Sequence, residues 1–270
     1  MYIFCIPAGG TNPFITWTKK IDSGKKIAVL DLPGRGRKFR ESSIDDISVL
    51  ADILINDMEN INSRGDDYAV FGYCSGALIA YEMFRKLQAD DKKLPVRFFT
   101  FGIGAPDSKN LTAKEHNRTS SPEFKMIVSQ FFNSNSLGSD EEAARAVKAY
   151  ISSYSEKDHV SEIGLTDVFP SISEKERFEK HQLINLLNNS MKQIEQDEQM
   201  IKNYQSSDRD YPVISSHVSI IYGANDTFVD RQLILNWKQF FENADVTETP
   251  GDHYSIMNYA DRFIQLLNDF

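Results

Sequence analysis

The segment Tyr68-Ala69-Val70-Phe71-Gly72-Tyr73-Cys74-Ser75-Gly76-Ala77-Leu78 constrains the fold of this chain more than any other. An aromatic and aliphatic run passes through Gly-x-Cys-x-Gly into a stretch that is apolar almost all round. It predicts a strand, a sharp turn and a helix packed against a sheet, with Cys74 at the tip of the turn. The flanking glycines are expected because backbone crosses close to backbone there and leaves no room for a Cβ. A thiol at a helix N-terminus has its thiolate stabilised by the helix dipole and by backbone N–H groups. Cys74 is therefore the candidate nucleophile. Two competing readings remain open at this point: a lone cysteine packed as a small core residue, and Ser75, one place past the tip, as nucleophile.

Around this turn the chain alternates strands and helices. Near-continuous apolar runs at Tyr2–Ile6, Lys26–Leu32, Tyr68–Phe71 and Arg97–Phe101 suit strands buried on both faces of a parallel sheet. Ile44, Ile47, Leu50, Leu54 and Met58 recur at helical spacing between the second and third runs, which makes one crossover. From about residue 107 to about 210 the strand signal disappears and the sequence turns polar and helical. Within it, Phe178, Leu183, Leu187, Met191, Ile194 and Ile201 form a helical stripe. Strand signals return at His217–Tyr222 and Asp245–Thr249, followed by a C-terminal amphipathic helix with Ile256, Phe263, Leu266 and Leu267. The expected architecture is one α/β domain over residues 1–270, a mainly parallel sheet flanked by helices and interrupted by a helical insertion.

A nucleophilic thiol needs a base, and His253 in Gly251-Asp252-His253-Tyr254 is the one histidine of five placed between the last predicted strand and the last helix. The base needs a carboxylate to fix its tautomer. Asp226 in Tyr222-Gly223-Ala224-Asn225-Asp226 follows the preceding strand, with Asp230 and Asp252 as competitors. An oxyanion would be held by the N–H of Ser75, the residue after the nucleophile, and by one from the early loop Pro7-Ala8-Gly9-Gly10, for which Ala8 is the candidate. Arg35, Arg37, Lys38 and Arg40 form a basic stretch beside the predicted site, against the reading of an ordinary solvated loop.

The composition excludes several other classes. A net charge of −9 argues against a nucleic-acid binder. The chain has two cysteines in 270 residues, too few for a disulfide framework or a cysteine-rich metal site. No metal or cofactor is expected. No apolar run approaches the roughly 18 residues of a membrane span, and the N-terminus has no signal-like pattern. A cytoplasmic monomer without membrane association is expected.

With Phe4-Cys5-Ile6-Pro7-Ala8-Gly9-Gly10, Leu32-Pro33-Gly34-Arg35-Gly36-Arg37, Phe71 through Glu82, Gly223-Ala224-Asn225-Asp226 and Gly251-Asp252-His253-Tyr254 taken together, the chain resembles the type II thioesterases of nonribosomal peptide and polyketide biosynthesis over nearly its whole length. The resemblance implies an α/β-hydrolase fold with the insertion as a helical lid. It also implies a triad of Cys74, Asp226 and His253, with Ala8 and Ser75 as oxyanion donors. The implied activity is hydrolysis of acyl groups from the phosphopantetheine arm of carrier proteins, with Arg35 and Arg37 facing the carrier or substrate. The chain departs from the family in three places. The elbow usually reads Gly-His-Ser-Met-Gly, the early loop is one residue shorter than Pro-x-Ala-Gly-Gly, and Asp252 replaces a common glycine before the histidine. A cysteine nucleophile keeps two further readings in view, an acyltransferase or cyclising release enzyme and a catalytically inactive binding protein.

Overall fold

Six strands run β1 (Tyr2–Ile6), β2 (Lys26–Val29), β3 (Tyr68–Tyr73), β4 (Arg97–Phe101), β5 (Ile214–Gly223) and β6 (Phe241–Thr249) along the chain. They form one sheet in the order β2-β1-β3-β4-β5-β6, and every neighbouring pair is parallel. The structure, a computed structural model, describes residues 1–8, 12–108, 145–146, 177–206 and 210–270. Parallel neighbours require crossovers. Helix α1 (Ile47–Ile61) carries the chain from β2 to β3 and α2 (Ser75–Ala89) from β3 to β4. The described part of the insertion includes α3 (Arg177–Ser206), which precedes β5. A short helix α4 (Arg231–Leu235) lies between β5 and β6, and α5 (Ser255–Asn258) and α6 (Ala260–Asp269) close the chain.

Because successive side chains of a strand point to opposite faces, each strand feeds two cores. Phe4, Ile6, Val70 and Phe98 join the cluster under α1 and α2. Ile3, Cys5, Ala69, Phe71, Phe99 and Phe101 face the other way, onto Trp17 and the α6 residues Phe263 and Leu267. Each fully buried phenylalanine contributes about 2–3 kcal/mol of transfer free energy. The order of strands reverses at β1, whose two neighbours lie on opposite sides. In such sheets ligands bind beyond the carboxyl ends of the strands at this switch point, here β1 and β3.

The strand limits differ from the sequence expectation for local reasons. β2 stops at Val29 rather than Leu32, because Leu32-Pro33-Gly34-Arg35 bends the chain, with Arg35 N donating to Leu32 O at 3.0 Å. β5 begins at Ile214, ahead of His217, across a register irregularity. β6 begins at Phe241 rather than Asp245. It is an edge strand, exposed over most of its length, so its polar residues hide it from an apolar-run reading. The C-terminal helix is two helices, broken at Tyr259 (φ −124°, ψ 38°).

The chain divides into two compact units, Met1–Lys114 with Gln196–Phe270, and Glu115–Glu195. The first holds the whole sheet. In the second, Leu183 and Leu187 of the expected stripe are buried, while Phe178 and Met191 lie outside the described side chains. Most of the insertion expected over 107–210 also lies outside the described residues. No helix among the described residues is long and apolar enough to cross a membrane.

Candidate active site

β3 runs straight into the turn at Cys74, whose backbone has φ 48° and ψ −124°. That is a conformation a non-glycine residue rarely adopts and one that functional sites hold under strain. The turn is fixed from both sides: Cys74 N donates to Phe101 O at 2.8 Å, and Ala77 N to Cys74 O at 2.9 Å. A Cβ on Gly72 would stand 2.4 Å from Ala77 Cα, and one on Gly76 2.3 Å from Ile6 O. Backbone crowding therefore accounts for both glycines. Cys74 is half-buried at the junction of the two cores. Ser75 opens α2, so its N–H is among those with no partner inside the helix. Its hydroxyl is fully buried and donates to Asp197 Oδ2 at 2.6 Å, which removes it from a competing nucleophilic position.

The loops after β5 and β6 are stitched together by their backbones, with Ala224 N donating to Thr249 O at 2.9 Å and Asn225 N to Gly251 O at 2.8 Å. This brings Asp226 Oδ2 to 3.2 Å from His253 Nδ1. The other carboxylate oxygen accepts from Phe228 N at 2.8 Å and Val229 N at 3.2 Å. The two competing carboxylates are used elsewhere. Asp230 caps α4 through Gln232 N at 2.7 Å, and Asp252 accepts from Tyr254 N at 2.9 Å. Phe228 stacks on the His253 ring at 5.1 Å, and Tyr254 meets it edge-on at 5.4 Å.

The electrostatics follow from this packing. Burial alone would push the Asp226 carboxyl up. The hydrogen bond and attraction to His253, with the two backbone donors, hold it below the usual carboxylate range instead. Burial pulls the His253 imidazole down, but hydrogen bonds and charge attraction to Asp226 and Cys74 outweigh it and hold the ring up at about 10. Cys5, in the middle of β1, is pushed well above an ordinary thiol by burial alone.

The structure thus brings Cys74, His253 and Asp226 together. Ala8 is buried two residues past Ile6, and Cys74 lies two residues past Gly72, the parallel partner of Ile6, so both follow adjacent strand ends. Gly9 and Gly10 lie outside the described residues. Arg35, Arg37 and Lys38 are each engaged with an acid rather than forming one open patch. Arg35 pairs with Asp197, Arg37 Nε with Asp31 at 2.6 Å, and Lys38 with Asp57 at 2.6 Å. Arg37 still leaves 77% of its side chain exposed. Asp197 and Phe228 were not singled out from the sequence. Phe228 had a faint signal in its closeness to Asp226, whereas nothing local marks Asp197. Among the described residues, no group of three or more His, Cys, Asp or Glu side chains is placed to hold a metal ion.

Comparison with known proteins agrees with this architecture. The family model described as "Thioesterase domain" matches residues 1–270. Two curated relatives match over part of the chain. The gramicidin S biosynthesis protein GrsT of Aneurinibacillus migulanus is 26% identical over 106 residues, 38% of this chain and 41% of GrsT. The probable anguibactin biosynthesis thioesterase AngT of Vibrio anguillarum is 30% identical over 87 residues, 32% of this chain and 34% of AngT. The matched stretch thus spans well under half the length of either relative. In three dimensions, the RedJ thioesterase from the prodiginine pathway of Streptomyces coelicolor superposes with a TM-score of 0.62 at 19% identity, covering 99% of this chain and 84% of RedJ. That likeness fixes the fold, an α/β-hydrolase-type parallel sheet flanked by helices. With a family model matched from the first residue to the last, this chain belongs to the thioesterase domain family.

Proposed function

We propose that the protein is a type II thioesterase of nonribosomal peptide or polyketide biosynthesis. In this reading it takes acyl groups from the phosphopantetheine arms of carrier proteins through a Cys74-His253-Asp226 triad. The observation that carries the reading is the Asp226 carboxylate 3.2 Å from His253 Nδ1, with the strained Cys74 turn bearing electrostatically on the same ring. Asp226 holds one face of the imidazole, which leaves its other nitrogen to exchange a proton with Cys74. The Cys74 thiolate attacks the thioester carbonyl, the C–S bond to pantetheine breaks, and the leaving thiolate takes the imidazolium proton. The N–H groups of Ser75 and Ala8 hold the oxyanion between these steps. In the second half, His253 removes a proton from water as it attacks the acyl-Cys74 carbonyl, the C–S bond to Cys74 breaks, the free acid leaves, and the Cys74 thiolate is again paired with the imidazolium. Arg37, exposed on the loop after β2, is available to a carrier's phosphate or acidic side chains. GrsT, AngT and RedJ are named for gramicidin S, anguibactin and prodiginine biosynthesis, which supports a place for this chain in a biosynthetic pathway.

The thiol itself favours a second reading. An acyl-cysteine is a thioester of about the same energy as the substrate, so acylation is reversible and the acyl group stays activated for an amine or hydroxyl acceptor. Loading a carrier protein with varied acyl-phosphopantetheines and following its mass with and without the enzyme tests the first reading. Acyl loss from the carrier with matching free acid is expected. No loss and no adduct on the enzyme would make the protein a binding module. If the second reading holds, adding amine or hydroxyl acceptors diverts the product from acid, and Cys74→Ser raises the acid share.

A further inference from the structure

Ser75 and Asp197 are 122 residues apart in sequence, yet Ser75 Oγ donates to Asp197 Oδ2 at 2.6 Å. The other oxygen of Asp197 pairs with the Arg35 guanidinium. The side chains of Arg35 and Asp197 are only 12% and 8% exposed. A second tie shows that this contact has a fixed register. Seven positions further along both helices, Tyr204 donates to the fully buried Glu82 at 3.2 Å, again with a separation of 122 residues. Glu82 in turn takes two hydrogen bonds from Arg85, at 2.9 and 2.8 Å. The Gln196–Tyr204 part of α3 therefore runs parallel to α2, with Met200 and Ile201 in the same apolar cluster as α2.

A carboxylate buried beside the residue whose N–H must hold an oxyanion, and one position from a thiolate, opposes both negative charges. In low dielectric such a field is felt strongly unless an opposite charge is paired with it. Arg35 supplies that charge. We propose that Asp197 and Arg35 are positioning residues for the elbow: Asp197 anchors Ser75 through its hydroxyl, and Arg35 cancels the carboxylate's field at Cys74 and the oxyanion. This rests on the reading of Cys74 as nucleophile. Among the described residues, His253 from the loop after β6 also bears on the elbow, with Asp226 from the loop after β5 behind it. It also gives Arg35 a role distinct from carrier contact, and it accounts for serine where the family usually has methionine after the nucleophile.

The test is the rate of Cys74 alkylation by iodoacetamide as a function of pH, with the modified site mapped, alongside kcat and KM on an acyl-pantetheine. Arg35→Met should slow alkylation at neutral pH about tenfold, the loss shrinking as pH rises. It should also lower kcat with little change in KM. Asp197→Asn keeps the acceptor for Ser75 but removes a negative charge beside the elbow, so alkylation should speed up severalfold. The double variant should return near wild type. Opposite signs that cancel are a signature of charge, whereas a merely structural role slows all three. Arg35→Met without effect, or a double variant as slow as Arg35→Met, would overturn the proposal. Should Arg35→Met fail to fold by circular dichroism, Asp197→Asn still decides, because unchanged or slower alkylation contradicts it. Failure of the underlying reading looks different: Cys74→Ala would keep turnover, whatever the alkylation rates.

Discussion

Cys5 sits in the middle of β1 and Cys74 just past the end of β3, the strand beside it. Cys5 is level with Phe71 in the sheet and fully buried, and among the described hydrogen bonds its thiol reaches only Ile3 O, at a long 3.8 Å. Nothing there stabilises a thiolate, and burial keeps the thiol protonated. Three residues of chain past that level, Cys74 has left the sheet, is half-buried at the end of β3 and bears on an imidazole held up at about 10. The same side chain is inert filler in one place and a candidate nucleophile in the other. What separates them is access, a helix N-terminus and a partner proton, so sequence position in the fold decides the chemistry before residue type does.

The largest contrast is expected from deleting each thiol in turn. Cys74→Ala should lower kcat on an acyl-pantetheine by about 10³-fold or more, and His253→Ala by a comparable factor, since residues that act as a unit lose about as much singly as together. Cys5→Ala should leave kcat within about twofold of wild type. Steady-state kinetics on the three variants checks this, and a Cys5 effect on kcat matching that of Cys74 would break the comparison.

A smaller loss is expected at Asp226→Asn, roughly 10–100-fold in kcat, because an imidazolium and a thiolate can stay paired without the carboxylate. In serine triads the same change costs about 10⁴-fold. A loss at Asp226 exceeding that at His253 would require a different base.

The Asp226–His253 pair should also appear in stability against pH. The folded pKa of His253 lies above its ordinary 6.5, so its stabilisation is complete below that value and is lost as pH rises toward about 10. The folded pKa of Asp226 is lowered, so its share is present above its ordinary 3.8 and is lost as pH falls below it. The Tm advantage of wild type over Asp226→Asn should therefore be greatest between about pH 4 and 6.5 and shrink toward pH 10. A difference independent of pH would contradict the pairing.

The smallest effect belongs to the buried thiol. Cys5→Ala removes packing in a core shared with Phe71 and Trp17, and should cost about 1–2 kcal/mol without changing reactivity toward alkylating agents. Denaturant unfolding measures it.

The elbow was legible in the sequence because all its determinants are local: strand pattern, two glycines and helix pattern lie within eleven residues of one another. β1 and β4 were legible to the residue for the same reason, being apolar runs buried on both faces. His253 and Asp226 followed once the chain order of strands was read. The sequence pattern marks only Asp245–Thr249 of β6, because an edge strand keeps polar residues on display. The Ser75–Asp197–Arg35 contact could not be read at all. It depends on the Gln196–Tyr204 part of α3 lying beside α2 in one particular register, and a hydrogen bond spanning 122 residues leaves no mark in local pattern. For the same reason Arg35 looked like part of a free basic stretch, when its partner lies on a distant helix.

The most direct measurement of the central claim is to mix the protein with an excess of acyl-pantetheine, quench with acid within a turnover, and map the acyl group by peptide mass spectrometry. One acyl group per chain is expected, on the peptide carrying Cys74, released by hydroxylamine as a thioester and missing in Cys74→Ala, with Cys5 unmodified. Turnover that proceeds with the acyl group on Ser75, on Cys5 or on no residue, and that survives in Cys74→Ala, would contradict it.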